Sequence, residues 1–291
     1  MSGNLSTDQL KAHRRNTFRL SPDQQVETRE EAVSFVNERG FVFFWPIQGI
    51  VLPNLWQAVA GDRAVASEHD DPGHITWGWK DASLGERIWY YAKILRRRAT
   101  IVSLETAPYF YALSENYGSP EEDYLIQYEQ GRMTQEAKSV YETLLHRGPL
   151  DTVALRKASR LSSRESDYRF NRALVALQTD FKILPIGVAQ AGAWNYAFVY
   201  DLVPRHFQDL PEQARFIQEN QARSKLVGRY LESVGAAQLR DVTKLFGWPR
   251  PAAEKALHDL IEGGSVQAGV TIDDEPGTWY ALTNLLGGSA H

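Results

Sequence analysis

The sequence contains no Cys. That excludes disulfides, Cys-ligated zinc, iron–sulfur clusters and a thiol nucleophile, and it removes any sign of an oxidising compartment. Long apolar runs are missing as well. The most apolar stretch, FVFFWPIQGIVLP, covers Phe41–Pro53, well short of the roughly 20 residues a spanning helix needs. The N-terminal MSGNLSTDQLKAHRRNTFRL lacks the apolar run of a secretory signal. The protein is therefore expected in the cytoplasm, with no membrane partner. Phosphate-cradling glycine loops of the P-loop or dinucleotide type are absent, so no cofactor is expected. His69 and His74 sit among Glu68, Asp70 and Asp71 but miss the i, i+4 spacing of a helical zinc pair, and no metal is expected. A net charge of -4 argues against an indiscriminate nucleic-acid binder, though not against local basic patches.

What is present is an ordinary folded composition, 43% hydrophobic and 23% charged, over a length that admits two or three compact units. Internal repetition decides between them. Gly148-Pro-Leu-Asp-Thr-Val-Ala-Leu-Arg-Lys-Ala aligns with Gly235-Ala-Ala-Gln-Leu-Arg-Asp-Val-Thr-Lys-Leu. Each follows a long helical pattern, Gln135–His146 and Glu212–Ser233, and begins on a helix-stopping Gly. Each leads through a short helix and a polar turn to a third helix, Tyr168–Thr179 and Ala252–Glu262, with apolar residues on one face. Two β-like runs follow: Ile183–Val188 with Tyr196–Leu202, and Ser265–Val270 with Trp279–Leu282, across turns at 190–193 and 273–277. Three helices and a hairpin form the winged-helix order, whose second and third helices make a helix-turn-helix.

A more degraded first copy is expected from the helix Arg29–Arg39, a third helix at Leu84–Leu95, and wing strands at Ala99–Leu104 and Tyr109–Leu113. Tyr-x-Leu recurs as Tyr111-Ala-Leu113, Tyr200-Asp-Leu202 and Tyr280-Ala-Leu282. The predicted fold is mainly α (α+β): three tandem winged-helix domains with small β-wings. Residues 1–28 form a loose polar basic arm, 29–115 winged helix 1, 116–133 an acidic connector, 134–210 winged helix 2 and 211–286 winged helix 3.

Basic groups collect locally. Residues 156–172 carry Arg156, Lys157, Arg160, Arg164, Arg169 and Arg172 against Glu165 and Asp167, and Ser162 and Ser163 can cap a helix or donate to phosphates. Lys93, Arg96, Arg97 and Arg98 form a second cluster, which a helix C-terminus alone would also favour. The last copy's third helix balances Arg250 and Lys255 with Glu254, Asp259 and Glu262. Duplex DNA is the expected partner of the first two clusters.

The run from Gly148-Pro-Leu through Arg172-Ala-Leu to Val199-Tyr-Asp-Leu and Leu210-Pro resembles the tandem winged-helix DNA glycosylases of the AlkZ/YcaQ type, over about residues 30–285. The resemblance implies excision of alkylated bases and unhooking of crosslinks by N-glycosidic bond hydrolysis, with damaged duplex DNA as substrate. Members usually continue into a further C-terminal β-rich region, which is not expected here. The family's signature is Gln, an apolar residue, then Gln or Asp; here it falls on Gln48-Gly49-Ile50. Gln48 would orient the attacking water, but Ile50 cannot polarise one. The segment Trp77-Gly-Trp79-Lys80-Asp81-Ala-Ser-Leu84 resembles another family stretch, with Lys80 in place of a His. Asp81 is then a second candidate for water activation, or the cap of the following helix. Trp77, Trp79, Trp89, Tyr90 and Tyr91 are candidates to stack on an extruded base, or core residues. A non-enzymatic winged-helix transcriptional regulator and a protein-binding scaffold are the alternatives.

Overall fold

A computed structural model describes residues 3–192, 194–273 and 275–286. Helix predominates over strand in a mixed architecture. The chain runs three times through helix, short strand, two helices and two strands. The opening helices are Arg29–Arg39, Gln135–Arg147 and Glu219–Val234. Each stops on a glycine, Gly40, Gly148 or Gly235, at φ 79°, 80° and 78°. The glycine N–H returns to the carbonyl of Val36, Leu144 or Leu231. No other residue reaches that φ cheaply, which is why glycine ends each copy's first helix.

The short strands Phe41–Phe43, Leu150–Asp151 and Ala236–Ala237 follow directly. In each copy this strand pairs antiparallel with the last strand, which in turn pairs antiparallel with the middle one. The hairpins are Tyr90–Lys93 with Ala99–Val102, Ile183–Ala189 with Ala197–Leu202, and Val266–Ile272 with Glu275–Leu282. Parts of the expected turns at Ala193 and Asp274 lie outside the described residues. Between strands one and two come the helix pairs Leu55–Ala60 and Ile75–Ser83, Thr152–Ala158 and Asp167–Thr179, and Leu239–Phe246 and Arg250–Glu262. The same order of three antiparallel strands in all three copies shows the repeat more clearly than sequence does.

Three expectations are corrected. The first copy's third helix is Ile75–Ser83, not Leu84–Leu95, because Trp89–Ala92 is a continuous buried apolar run that enters a sheet. Tyr109–Leu113 is not a wing strand. Pro108 starts the helix Ala107–Tyr111, so the first Tyr-x-Leu belongs to no hairpin. The N-terminal segment is not loose. Ser6 and Gln9 form a capping box on the helix Thr7–Thr17. Leu10 then packs with Ala236, Val270, Ile272 and Trp279 of the last copy, Asn4–Leu5 adds a parallel strand to Thr271–Ile272, and the Arg14 guanidinium donates to the Val234 and Ala236 carbonyls.

One core joins the copies. Phe41, Tyr90 and Val102 of the first, Phe181 and Leu184 of the second, and Tyr230, Leu245 and Ala256 of the third belong to a single buried cluster. Tyr90 stacks on Phe181 with ring centroids 4.6 Å apart. Among the described residues, no helix is long and apolar enough to cross a membrane.

The helix-ending glycines predict unequal tolerance. A Cβ at Gly148 would meet nothing within 4 Å, whereas one at Gly235 would lie 2.9 Å from both Leu10 and His13. Gly148→Ala should cost about 1–3 kcal/mol from backbone conformation alone. Gly235→Ala should cost a further ~1–3 kcal/mol, because the docked N-terminal helix must move. Denaturant unfolding of the two variants compares them; equal losses would show that the helix is not held against Gly235.

Candidate functional site

The helix Ile75–Ser83 carries Trp77, Trp79, Lys80 and Asp81 and brings all but Trp79 together. Helical spacing turns Trp79 into the core of the first copy, while Trp77 stays partly exposed. Lys80 is 1% exposed. Its Nζ lies 4.6 Å from the centroids of Trp77 and Phe198, 5.6 Å from those of Tyr91 and Tyr196, and 5.8 Å from that of Phe44. Five rings thus surround one amine, presenting faces that attract its charged form.

Two oxygens complete the cage. Lys80 Nζ is 2.7 Å from Asp81 Oδ1 and donates to the Tyr196 hydroxyl at 3.0 Å. The Tyr196 hydroxyl donates to the same Asp81 oxygen at 2.9 Å. Burial pulls the Lys80 pKa below its ordinary value, and the Asp81 carboxylate partly opposes that shift. Burial and the neighbouring Asp81 raise that of Tyr196. Asp81 lies inside its helix and so is not the cap of a following one.

Most of the cage borders an open cavity of about 670 Å³, lined by Phe44, Trp45, Trp77, Lys80, Tyr91 and Phe198 among others. Gln48, Lys93, Arg97 and Arg98 also line it. Gln48 is exposed in a turn. Gly49 at φ 71° allows that turn, and Lys244 of the last copy holds it by donating to the Gly49 carbonyl at 2.7 Å. Ile50, the second position of the signature, packs against the main core instead.

Arg96–Arg98 belong to the hairpin turn between Tyr90–Lys93 and Ala99–Val102, where Leu95–Arg97 is one 3-10 turn and not the end of an α-helix, so there is no α-helix macrodipole to explain this cluster. Arg96 and Arg97 both take positive φ, 54° and 57°. Consecutive left-handed non-glycine residues store strain of the kind found at functional sites. Lys93, Arg96, Arg97 and Arg98 are exposed, and none makes an ion pair among the described residues.

The middle copy's cations divide into two sets. Arg156 is spent on the fold: it bonds the Leu161 and Ser163 carbonyls and pairs with Asp167 at 2.7 Å. Arg169 pairs with Glu136 at 3.1 Å. Ser163 caps the turn Arg164–Ser166 through its hydroxyl, and Ser162 is exposed. Lys157, Arg160, Arg164 and Arg172 are exposed and unpaired among the described residues. Of these only Arg172 lies on the helix Asp167–Thr179, whose last turn meets the cavity-lining Lys93; Lys157 is on Thr152–Ala158, and Arg160 and Arg164 lie in the connection between the two helices. Gln178 Oε1 accepts from the Lys93 N–H at 3.2 Å, and the Thr179 hydroxyl donates to the Lys93 carbonyl at 2.8 Å. From Arg172 to that junction is about 10 Å at helical rise. In the last copy's third helix, Arg250 pairs with Glu254 and Lys255 with Asp259, leaving less free charge.

Sequence reasoning thus named much of the cavity rim but missed its interior. Lys80 stood out only as a replacement for a His, although a cation set between Trp79 and Asp81 on an aromatic-rich helix is itself a signal. Tyr91 lines the cavity, whereas its neighbours Trp89 and Tyr90 are buried in the cores; Phe44, Tyr196 and Phe198 gave no local sign, because distant stretches and a different copy supply them. Among the described residues, no group of three His, Asp or Glu is placed to hold a metal. The arrangement suits a planar aromatic group that enters between ring faces while still attached to an anion.

A sequence profile of the family described as AlkZ related matches residues 26–247. A search of curated proteins finds no match. Among solved structures, the Streptomyces sahachiroi DNA glycosylase AlkZ is similar in fold, with a TM-score of 0.61 over 99% of this chain and 73% of that one, at 14% identity. With most of its length matched by that profile, this chain belongs to the AlkZ-related family.

Proposed function

We propose that the three equivalent units are winged helices, at 29–115, 134–210 and 211–286, that hold damaged duplex DNA and extrude one nucleotide into the Phe44–Phe198 cavity for hydrolysis of its base–sugar bond. The observation that carries this reading is convergence. Gln48, Trp77, Arg97 and Arg98, from separate stretches of the first copy, line one aromatic cavity, and Arg172, one of the free cations of the middle copy, lies on the helix Asp167–Thr179, whose Gln178 and Thr179 bond the cavity-lining Lys93. Phosphates would be held by Lys157, Arg160, Arg164 and Arg172 together with Lys93 and Arg96–Arg98. The base would lie against Trp77, Phe44 and Phe198. Gln48 at the mouth would orient water toward C1′, with the positive rim retaining the negatively charged strand while an oxocarbenium-like sugar forms. The similar-fold protein is named a DNA glycosylase, which agrees with this chemistry.

Free-base release from an alkylated duplex, followed by mass spectrometry, tests the proposal. Gln48→Ala should lower release on the order of a hundredfold with little loss of duplex affinity. Undiminished release would clear Gln48 of the role. Ile50, apolar and packed against the core at the second position of the signature, favours a second reading, a non-enzymatic DNA-binding regulator. Salt-sensitive binding with no base release from any alkylated duplex, and a large preference for one sequence, would support that reading instead.

A further inference from the structure

Lys80, 1% exposed, lines a cavity that the exposed cations Lys93, Arg97 and Arg98 also line. Four of the rings around its Nζ, those of Phe44, Trp77, Tyr91 and Phe198, also line the cavity. The Lys80 side chain therefore borders whatever fills the cavity, with its Nζ among the rings that line it. Burying an ion pair is a poor way to stabilise a fold, since apolar residues of similar volume serve as well or better. A desolvated lysine inside a pocket is, in contrast, a recurring way to keep an amine nucleophilic.

We propose that Lys80 is a nucleophile toward the aldehyde of an abasic site, which makes the protein a β-lyase on the DNA strand after the base has gone. This rests on the reading that the cavity receives an extruded nucleotide. An intact nucleotide would place its base ahead of its sugar and keep C1′ from the cavity floor. The ring-opened deoxyribose of an abasic site has no base, so its C1′ aldehyde can descend to Nζ.

The Lys80 lone pair forms a bond to C1′ while the C1′=O π pair moves to oxygen. The Asp81 carboxylate, 2.7 Å from Nζ, accepts the proton the amine sheds. The C1′ oxygen takes that proton from Asp81 to become a hydroxyl, which restores the carboxylate; a second proton from solvent lets it leave as water, giving a protonated imine. A base, Asp81 or solvent, removes a C2′ proton. That C–H pair forms C2′=C3′ as the C3′–O bond breaks, and the 3′ phosphate departs with its electrons. Water then hydrolyses the imine, releases the unsaturated aldehyde and restores the amine. No oxidant or reductant is consumed. Tyr196, bonded to both Nζ and Asp81, would act as a positioning residue.

The test uses the full chain and a duplex with one natural abasic site, with and without sodium borohydride. A covalent protein–DNA adduct that peptide mass spectrometry places on Lys80 is expected, with strand cleavage 3′ to the site when borohydride is omitted. Lys80→Arg, which keeps the charge, and Lys80→Met, which keeps the volume, should both reduce the adduct at least 100-fold. Binding of the wild type to a duplex with a tetrahydrofuran site, which has no aldehyde, is measured in parallel. No adduct with preferential tetrahydrofuran binding overturns the lyase and leaves the nucleotide cavity standing. No adduct and no preference over intact duplex overturns both. An adduct at any other amine, the N-terminus included, overturns the role of Lys80.

Discussion

Replacing Lys157, Arg160, Arg164 and Arg172 together by Ala is expected to weaken binding to a short duplex on the order of a hundredfold or more near physiological salt, and to flatten the slope of log affinity against log salt by roughly 3–4. None of the four makes an ion pair among the described residues, and all are exposed, so the fold should tolerate their loss within a few tenths of a kcal/mol each. Arg156 is the internal control. It contacts Leu161, Ser163 and Asp167, so Arg156→Ala should lower stability, by about 1–3 kcal/mol, more than it lowers the salt slope. Filter-binding or fluorescence-anisotropy titrations over a salt series measure both quantities. An unchanged slope in the fourfold variant would remove this face from the interface.

The second large effect concerns Asp81. Asp81→Ala leaves the Lys80 amine caged and without its carboxylate, and removal of one partner from a buried pair is strongly destabilising. The loss at pH 7 has a ceiling of about 5 kcal/mol, the cost of discharging an ordinary lysine at that pH; roughly 2–4 kcal/mol is expected. The folded-state pKa of Lys80 is already below its ordinary value, and the substitution lowers it further. Between that depressed value and 10.5 the unfolded chain binds a proton that the folded chain lacks, so stability rises with pH across the window. The rise starts at lower pH in Asp81→Ala than in the wild type. Lys80→Met combined with Asp81→Asn should recover most of the loss and abolish this contribution to the pH slope. Urea denaturation from pH 7 to 10.5 reads all three proteins; a variant as stable as wild type at pH 7 would show that the pair does not hold the cage.

Much of the fold was legible in the sequence because it is locally written. Gly148 and Gly235 stop helices, the apolar faces of Tyr168–Thr179 and Ala252–Glu262 repeat at helical spacing, and two hairpins alternate about polar turns. The first copy misled for an equally local reason. Its strand Tyr90–Lys93 is buried at three consecutive residues, and a short continuous apolar run fits helix and strand alike. Charge showed where cations gather but not which are free. Only coordinates separate Arg156, folded back on its own turn, from Arg160. The cage was out of reach, because Tyr196 meets Lys80 across 116 positions and no periodicity encodes that distance.

The central claim is that the Phe44–Phe198 cavity takes one nucleotide out of a duplex. Its most direct measurement is the ratio of affinities, at physiological salt, for a duplex with a single unpaired nucleotide and for its fully paired counterpart. The account predicts a preference of at least about tenfold, or ~1.4 kcal/mol. Ala99→Trp, which fills the cavity from a residue lining it, should abolish that preference and leave the salt slope intact. Equal affinities in the wild type, or a preference that survives with the cavity filled, would contradict it.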